Sequence, residues 1–206
     1  LGRNKEALQA LQALLDVKRK HLGPEHVETI ATLNNMGLVH TNLGENKQAV
    51  ALYEQAYKLC EKQHGAEAPV TLTAAFNLAM TQLKAGDVKH APGKLSEILE
   101  KRKRILGNDH PQTIDSMQSL VLALRLNGEP KRARPLADEV VEITRRTKGG
   151  DHPDTMTAIS NQAMILNDIG ELEKAIPLLE QVERYRRLKL GENHPEALLS
   201  LNRLAV

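Results

Sequence analysis

The chain has 206 residues, and its charges nearly cancel, with 28 Lys and Arg against 26 Asp and Glu. That balance argues against a dedicated nucleic-acid binder or a polybasic membrane binder, and no stretch approaches the run of about 18 apolar residues that a membrane helix needs. With no Trp, one Phe, three Tyr and a single cysteine, Cys60, the core must come from Ala, Leu, Ile, Val and Met at close contacts, no internal disulfide is available, and a reducing, cytoplasmic setting is expected.

The chain opens on "LGRNKEAL" and returns to nearly the same phrase, "LGENKQAV", at residues 43–50. Sliding the sequence by 42 brings all of it into register without insertion or deletion. Gly23, Gly65, Gly107, Gly149 and Gly191 form one column, and Gly2, Gly44, Gly86, Gly128 and Gly170 form a second. His26, Ala68, His110, His152 and His194 form a third, followed by Thr29, Thr71, Thr113 and Thr155.

Residues 1–22 are expected to form a lone helix B, from about 3 to 21, with Ala7, Leu8, Leu11, Leu14 and Leu15 on one apolar face. Four helix pairs A/B follow, as repeats 23–64, 65–106, 107–148 and 149–190. A last helix A is expected within 191–206, from about residue 195. The chain therefore reads as an excerpt of a longer array, beginning at an A-to-B turn and stopping midway through a pair. The repeat at 107–148 shows the logic. "LGNDHPQT" (106–113) stops one helix and starts the next, with Gly107 suited to the left-handed residue past a helix end and His110 near the cap of the following one. Helix A then spans about 111–126, Gly128 ends it, and helix B spans about 130–147, where Ala133, Leu136, Val140 and Ile143 recur at helical spacing. The alanine column (Ala49, Ala91, Ala133, Ala175) lets paired helices approach closely. Pro135 and Pro177 share a position inside helix B and should bend it slightly.

Helix pairs with Gly before B and Ala five residues on resemble tetratricopeptide repeats. The 42-residue length, the "LGxxHPxT" linker and the segment "TLNNMGLVHTNLGENKQAVALYEQAYKLCEKQHG" (32–65) resemble the kinesin light chain and nephrocystin-3 branch, over essentially the whole chain. Ala68 for His and Ser119 for Asn depart from the pattern. The resemblance implies an all-α, right-handed superhelical solenoid whose A helices line a concave groove. It also implies a scaffold that holds a peptide or partner helix and performs no chemistry.

Aligned to that pattern, the groove residues are Asn34, Phe76, Gln118 and Ser160 in one row, and Leu38, Met80, Leu122 and Met164 in another. Asn35, Asn77 and Asn161 run beside them, with Lys84, Arg125 and Asn167 further along. Asparagine carries both donors and acceptors and suits a peptide backbone, while Leu and Met offer an adaptable floor. The Lys and Asn clamp with which some co-chaperone repeats hold a terminal carboxylate is not matched at these positions.

The histidine column lies one repeat apart, about 10 Å at helix packing distances, too far for one zinc ion, and capping explains it better. No metal or cofactor is expected. Basic clusters end the B helices, in a column of Arg19, Lys103, Arg145 and Arg187 broken by Glu61. The helix dipole favours cations there, and the functional alternative is a ridge for an anionic partner. Nucleic acid is not expected, because aromatics to stack on bases are missing. Cys60 has His64 four residues on, at the dipole end that raises a thiol pKa, the wrong direction for a nucleophile. Catalysis is not expected. The alternative to a peptide scaffold is an assembly module that self-associates through its unpaired end helices.

Overall fold

The structure, a computed structural model, describes residues 2–191. The helix A expected from about 195 lies outside the described residues. Every regular element described is helical: α1 (Gly2–His21), α2 (Val27–Asn42), α3 (Asn46–His64), α4 (Pro69–Lys84), α5 (Ala91–Leu106), α6 (Pro111–Leu126), α7 (Pro130–Lys148), α8 (Pro153–Asp168) and α9 (Leu172–Leu190). The even-numbered helices are the A helices and the odd-numbered ones the B helices. The fold is an all-α helix-hairpin repeat.

The contacts group the chain into two compact units, Leu1–Ile105 and Leu106–Val206. In the first unit α1 packs on α2, α2 on α3 and α3 on α4; in the second α6 packs on α7, α7 on α8 and α8 on α9. One core of the first unit gathers Leu15, Ile30, Leu33, Met36, Ala56, Cys60 and Ala74 from four successive helices. Ala49, Ala91, Ala133 and Ala175 of the alanine column are buried, at 2% exposure or less, while Ala7 in α1 is half-buried.

The A helices start on their histidines. His26, His110 and His152 have extended backbones, and each Nδ1 accepts the N–H two residues on (Glu28, Gln112, Asp154) at 3.3, 3.2 and 3.1 Å. Each ring therefore carries its proton on Nε2. Ala68 has the same extended backbone but makes no side-chain cap.

The glycines that end the B helices are more constrained than the sequence implies. Gly65, Gly149 and Gly191 have φ of 81, 96 and 90° with ψ of 163, 159 and 157°. They occupy the mirror-extended region, not the left-handed helical one that Asn also visits.

Inside the hairpins, bulk on one helix is matched by its lack on the other. A Cβ on Gly37 would lie 2.9 Å from Tyr53 Cζ, so the ring of α3 uses the room that glycine leaves in α2. The same two columns read Ala79 with Leu95, Val121 with Ala137, and Ala163 with Leu179, all of them buried. α5 departs from the period. α3, α7 and α9 begin at Asn46, Pro130 and Leu172, which would place its start at residue 88, yet α5 begins at Ala91. Pro92 has no N–H to give, and its ring would meet a helical carbonyl at Val88, so the helix starts late enough to hold Pro92 in its first turn, where neither matters. Pro135 and Pro177, one position further along their columns, remain inside α7 and α9.

Candidate functional site

Each A helix leaves one stripe uncovered by its neighbours, stepping four, three and four residues along the chain. On α2 the stripe is Ala31, Asn35, Leu38 and Asn42, all exposed, with Leu38 at 52%. On α4 it is Thr73, Asn77 and Met80, half-buried, ending at exposed Lys84. On α6 it runs Asp115, Ser119, Leu122 and Leu126, the two leucines 41% and 51% exposed, and on α8 Thr157, Asn161, Met164 and Asp168. The stripe thus collects Asn35, Asn77 and Asn161, and the predicted row Leu38, Met80, Leu122 and Met164.

The neighbouring row is less uniform. Asn34 and Gln118 are half-buried, and Asn34 Oδ1 is sealed from solvent without a hydrogen-bond partner among the described residues. Ser160 is 2% exposed and belongs to the packing, not to the accessible face that the sequence suggested for it. Phe76 is half-buried beneath Arg102, whose guanidinium carbon stands 4.7 Å from the ring centroid. Arg125 reaches from α6 to α8, where its Nε and Nη2 donate to the Asp168 carboxylate at 2.5 and 3.3 Å. Asn167 is exposed, and Lys84 is exposed with no side-chain partner among the described residues.

Arg102 was missed in the sequence, where it reads as one more cation in "KRKR". Its column holds Cys60 and Thr144, both buried, between half-buried Lys18 and Arg186, so the two neighbouring repeats are the signal that this position faces inward. The basic helix ends also acquire a structural partner. Lys62 pairs with Glu25, Arg104 with Glu67 and Arg146 with Asp109, one repeating contact from the end of a B helix to the loop that opens the same repeat. Burial pushes the Cys60 thiol up, away from the thiolate. Tyr57 donates to the Glu61 carboxylate at 2.5 Å, and that bond with burial pushes its phenol up to about 12. No cluster of His, Cys, Asp or Glu fit to hold a metal occurs among the described residues, and no described helix is long and apolar enough to cross a membrane.

The comparisons agree with the repeat. No curated protein matches the chain in sequence. Among solved structures, a variant of a Podosopora anserina protein described as a kinesin light chain with nearly identical TPR-like repeats is 26% identical. It aligns with 92% of this chain and 89% of its own at a TM-score of 0.81. BtubC (BKLC) from P. vanneervenii is 19% identical, covering 94% of this chain and 77% of its own at a TM-score of 0.80. The quorum sensor NprR from B. thuringiensis, at 16% identity, covers 98% of this chain and 53% of its own with a TM-score of 0.71. The last two show the fold alone. The tetratricopeptide repeat family pattern matches residues 1–62, 28–91 and 116–187, together most of the chain. Repeats of this kind mediate protein–protein interaction, and the chain belongs to the tetratricopeptide repeat family.

Proposed function

We propose that the chain is a non-catalytic scaffold that holds an extended peptide or a partner helix along the uncovered stripes of its A helices. One observation carries this reading. A stripe recurs with the period of the repeat and places Asn35, Asn77 and Asn161 beside Leu38, Met80 and Met164 on α2, α4 and α8, with Ser119 beside exposed Leu122 on α6. Amides at a fixed spacing suit main-chain N–H and C=O groups, and the apolar row suits side chains of either ligand form. Lys84 is the cation available to an acidic ligand residue.

A peptide array is the direct test, with wild type set against Asn35→Ala/Asn77→Ala/Asn161→Ala. The variant should keep the circular dichroism and melting of wild type and lose the peptides that wild type retains. An unchanged peptide profile in the folded variant would sink the reading.

A second reading, a module that self-associates, draws on α1, where Leu14 and Val17 are 41% and 56% exposed. It predicts that mass rises with concentration in sedimentation equilibrium and that Val17→Glu abolishes the rise. A monomer over the whole concentration range would remove it.

A further inference from the structure

Four side chains of the second repeat depart from their columns, and all four line one cavity between α3, α4 and α5. Ala75 stands where Leu33, Met117 and Ile159 fill the core, each exposed by 1% or less. Lys94 stands where α3, α7 and α9 have Leu52, Leu136 and Leu178. Lys101 stands where α3 and α7 have Leu59 and Ile143 and α9 has Tyr185, and Gln82 stands where α6 and α8 have Leu124 and Leu166 and α2 has His40. Bulk that the other repeats supply from their own side chains is missing here, and the space left measures about 220 Å³.

The cavity has a dry floor and a charged mouth. Leu72 and Ile98 at its base are 2% and 6% exposed. At the rim the Lys94 ammonium donates to Gln82 Oε1 at 2.7 Å and stands 3.7 Å from the Asp87 carboxylate, and Lys101 donates to Glu97 Oε1 at 2.6 Å. An incoming carboxylate would therefore compete with two solvent-accessible carboxylates for the ammoniums. The side chains of Lys94 and Glu97 are 45% and 68% exposed, which places the opening toward solvent. Neither lysine is locked into a buried pair, so each has a donor to give to an incoming acceptor. A ligand that fits must bring an apolar body for the floor and an anion for the ammoniums. Drug-sized ligands occupy about 300–1,000 Å³, so this cavity takes something smaller.

We propose that the cavity is a binding site for a small amphiphilic carboxylate, its apolar tail on Leu72 and Ile98 and its carboxylate between Lys94 and Lys101. The tail replaces the Leu and Ile side chains of the other repeats, and the carboxylate answers the two cations that took their place. The site lies apart from the A-helix stripes and does not depend on the peptide-scaffold reading.

Octanoate is the probe, titrated into the full 206-residue chain by calorimetry and by methyl NMR, with octan-1-ol and octylamine as comparators. Octanoate should bind and octylamine should not. Ala75→Leu/Lys94→Leu, which restores the residues of the other repeats, should melt higher than wild type and lose octanoate. Lys94→Gln/Lys101→Gln keeps the cavity and removes the cations. It should bind octanoate at least about tenfold more weakly, as expected for a lost charge-assisted hydrogen bond, and octan-1-ol as before. The proposal is overturned if millimolar octanoate leaves wild type unshifted, if octylamine binds equally well, or if either variant binds octanoate like wild type. Should the filled variant fail to fold, the glutamine pair decides alone.

Discussion

The two units share one period but distribute bulk and charge differently. In the first unit the bulk sits on the B helix in both hairpins, Tyr53 opposite Gly37 and Leu95 opposite Ala79; the second unit alone contains the reverse, Val121 on α6 opposite Ala137, beside Leu179 opposite Ala163. The uncovered stripe of the first unit carries a lone cation, Lys84, whereas in the second the Arg125 and Asp168 charges neutralise each other across α6 and α8. The repeat therefore fixes the sum of what fills a layer and leaves open which helix supplies it. Exchanging the two arrangements is the sharpest way to test this. Tyr53→Ala should cost about 3–5 kcal/mol in chemical denaturation, the range for emptying an aromatic core site. Gly37→Val should cost about 1–3 kcal/mol by overpacking against the ring. The double variant installs the Val and Ala pairing of the second unit and should recover most of the tyrosine loss. Additive losses would show that the two columns do not compensate.

Where the units agree, the same substitution should cost the same in both. Gly65 and Gly149 share a mirror-extended backbone with ψ near 160°, at 163 and 159°. Asn enters the left-handed helical region with little strain but not this one, so Gly65→Asn and Gly149→Asn should each lose about 1–3 kcal/mol. Equal melting shifts would confirm a demand of the shared turn. A silent Asn at either site would place that turn in ordinary left-handed geometry.

How far these features were legible depends on how local their cause is. The glycine and histidine columns answer to backbone needs a few residues long, so the period exposed them, and the helix starts at Pro69, Pro111 and Pro153 fall where it places them. The start of α5 was missed because the proline that delays it sits one position earlier than in its neighbours. Arg102, Ser160 and the cavity beneath Lys94 depend instead on which face of a helix its neighbours cover. Sequence charge placed Arg102 in solvent, and packing put it against Phe76 at 2% exposure. Ser160 looked like a groove residue by its row, but on α8 that row turns under the neighbouring packing. Asn34 shows the intermediate case, since its residue is only half-buried while its Oδ1 is sealed.

The missing cap at Ala68 sets α4 apart from α2 in its own unit and from α6 and α8 in the other. Its backbone, at φ −61° and ψ 140°, matches that of His110 at −67° and 136°, so α4 is poised for a cap it does not have. Ala68→Asp should supply one to the N–H of Val70 and add a favourable charge at the helix start, raising stability by about 0.5–2 kcal/mol. His152→Ala should lose a similar amount from α8. A gain at Ala68 without a matching loss at His152 would mean that the imidazoles contribute less than their geometry implies.

The smallest effect concerns the charge pair on the stripe of the second unit. Arg125 and Asp168 are 34% and 24% exposed, so solvent screens their attraction, and Arg125→Ala should cost under about 1 kcal/mol. The loss should shrink further in molar salt, where the screening length falls to about 3 Å. Binding should respond more than stability. Removing the arginine frees the Asp168 carboxylate to act with Asp115 and makes the stripes of the second unit acidic, the opposite of Lys84 in the first. On a peptide array the variant should gain basic peptides that wild type ignores. Stability and array profile both unchanged would mean that the pair neither holds the two helices together nor sets what the stripe accepts, leaving the leucines and amides to do both.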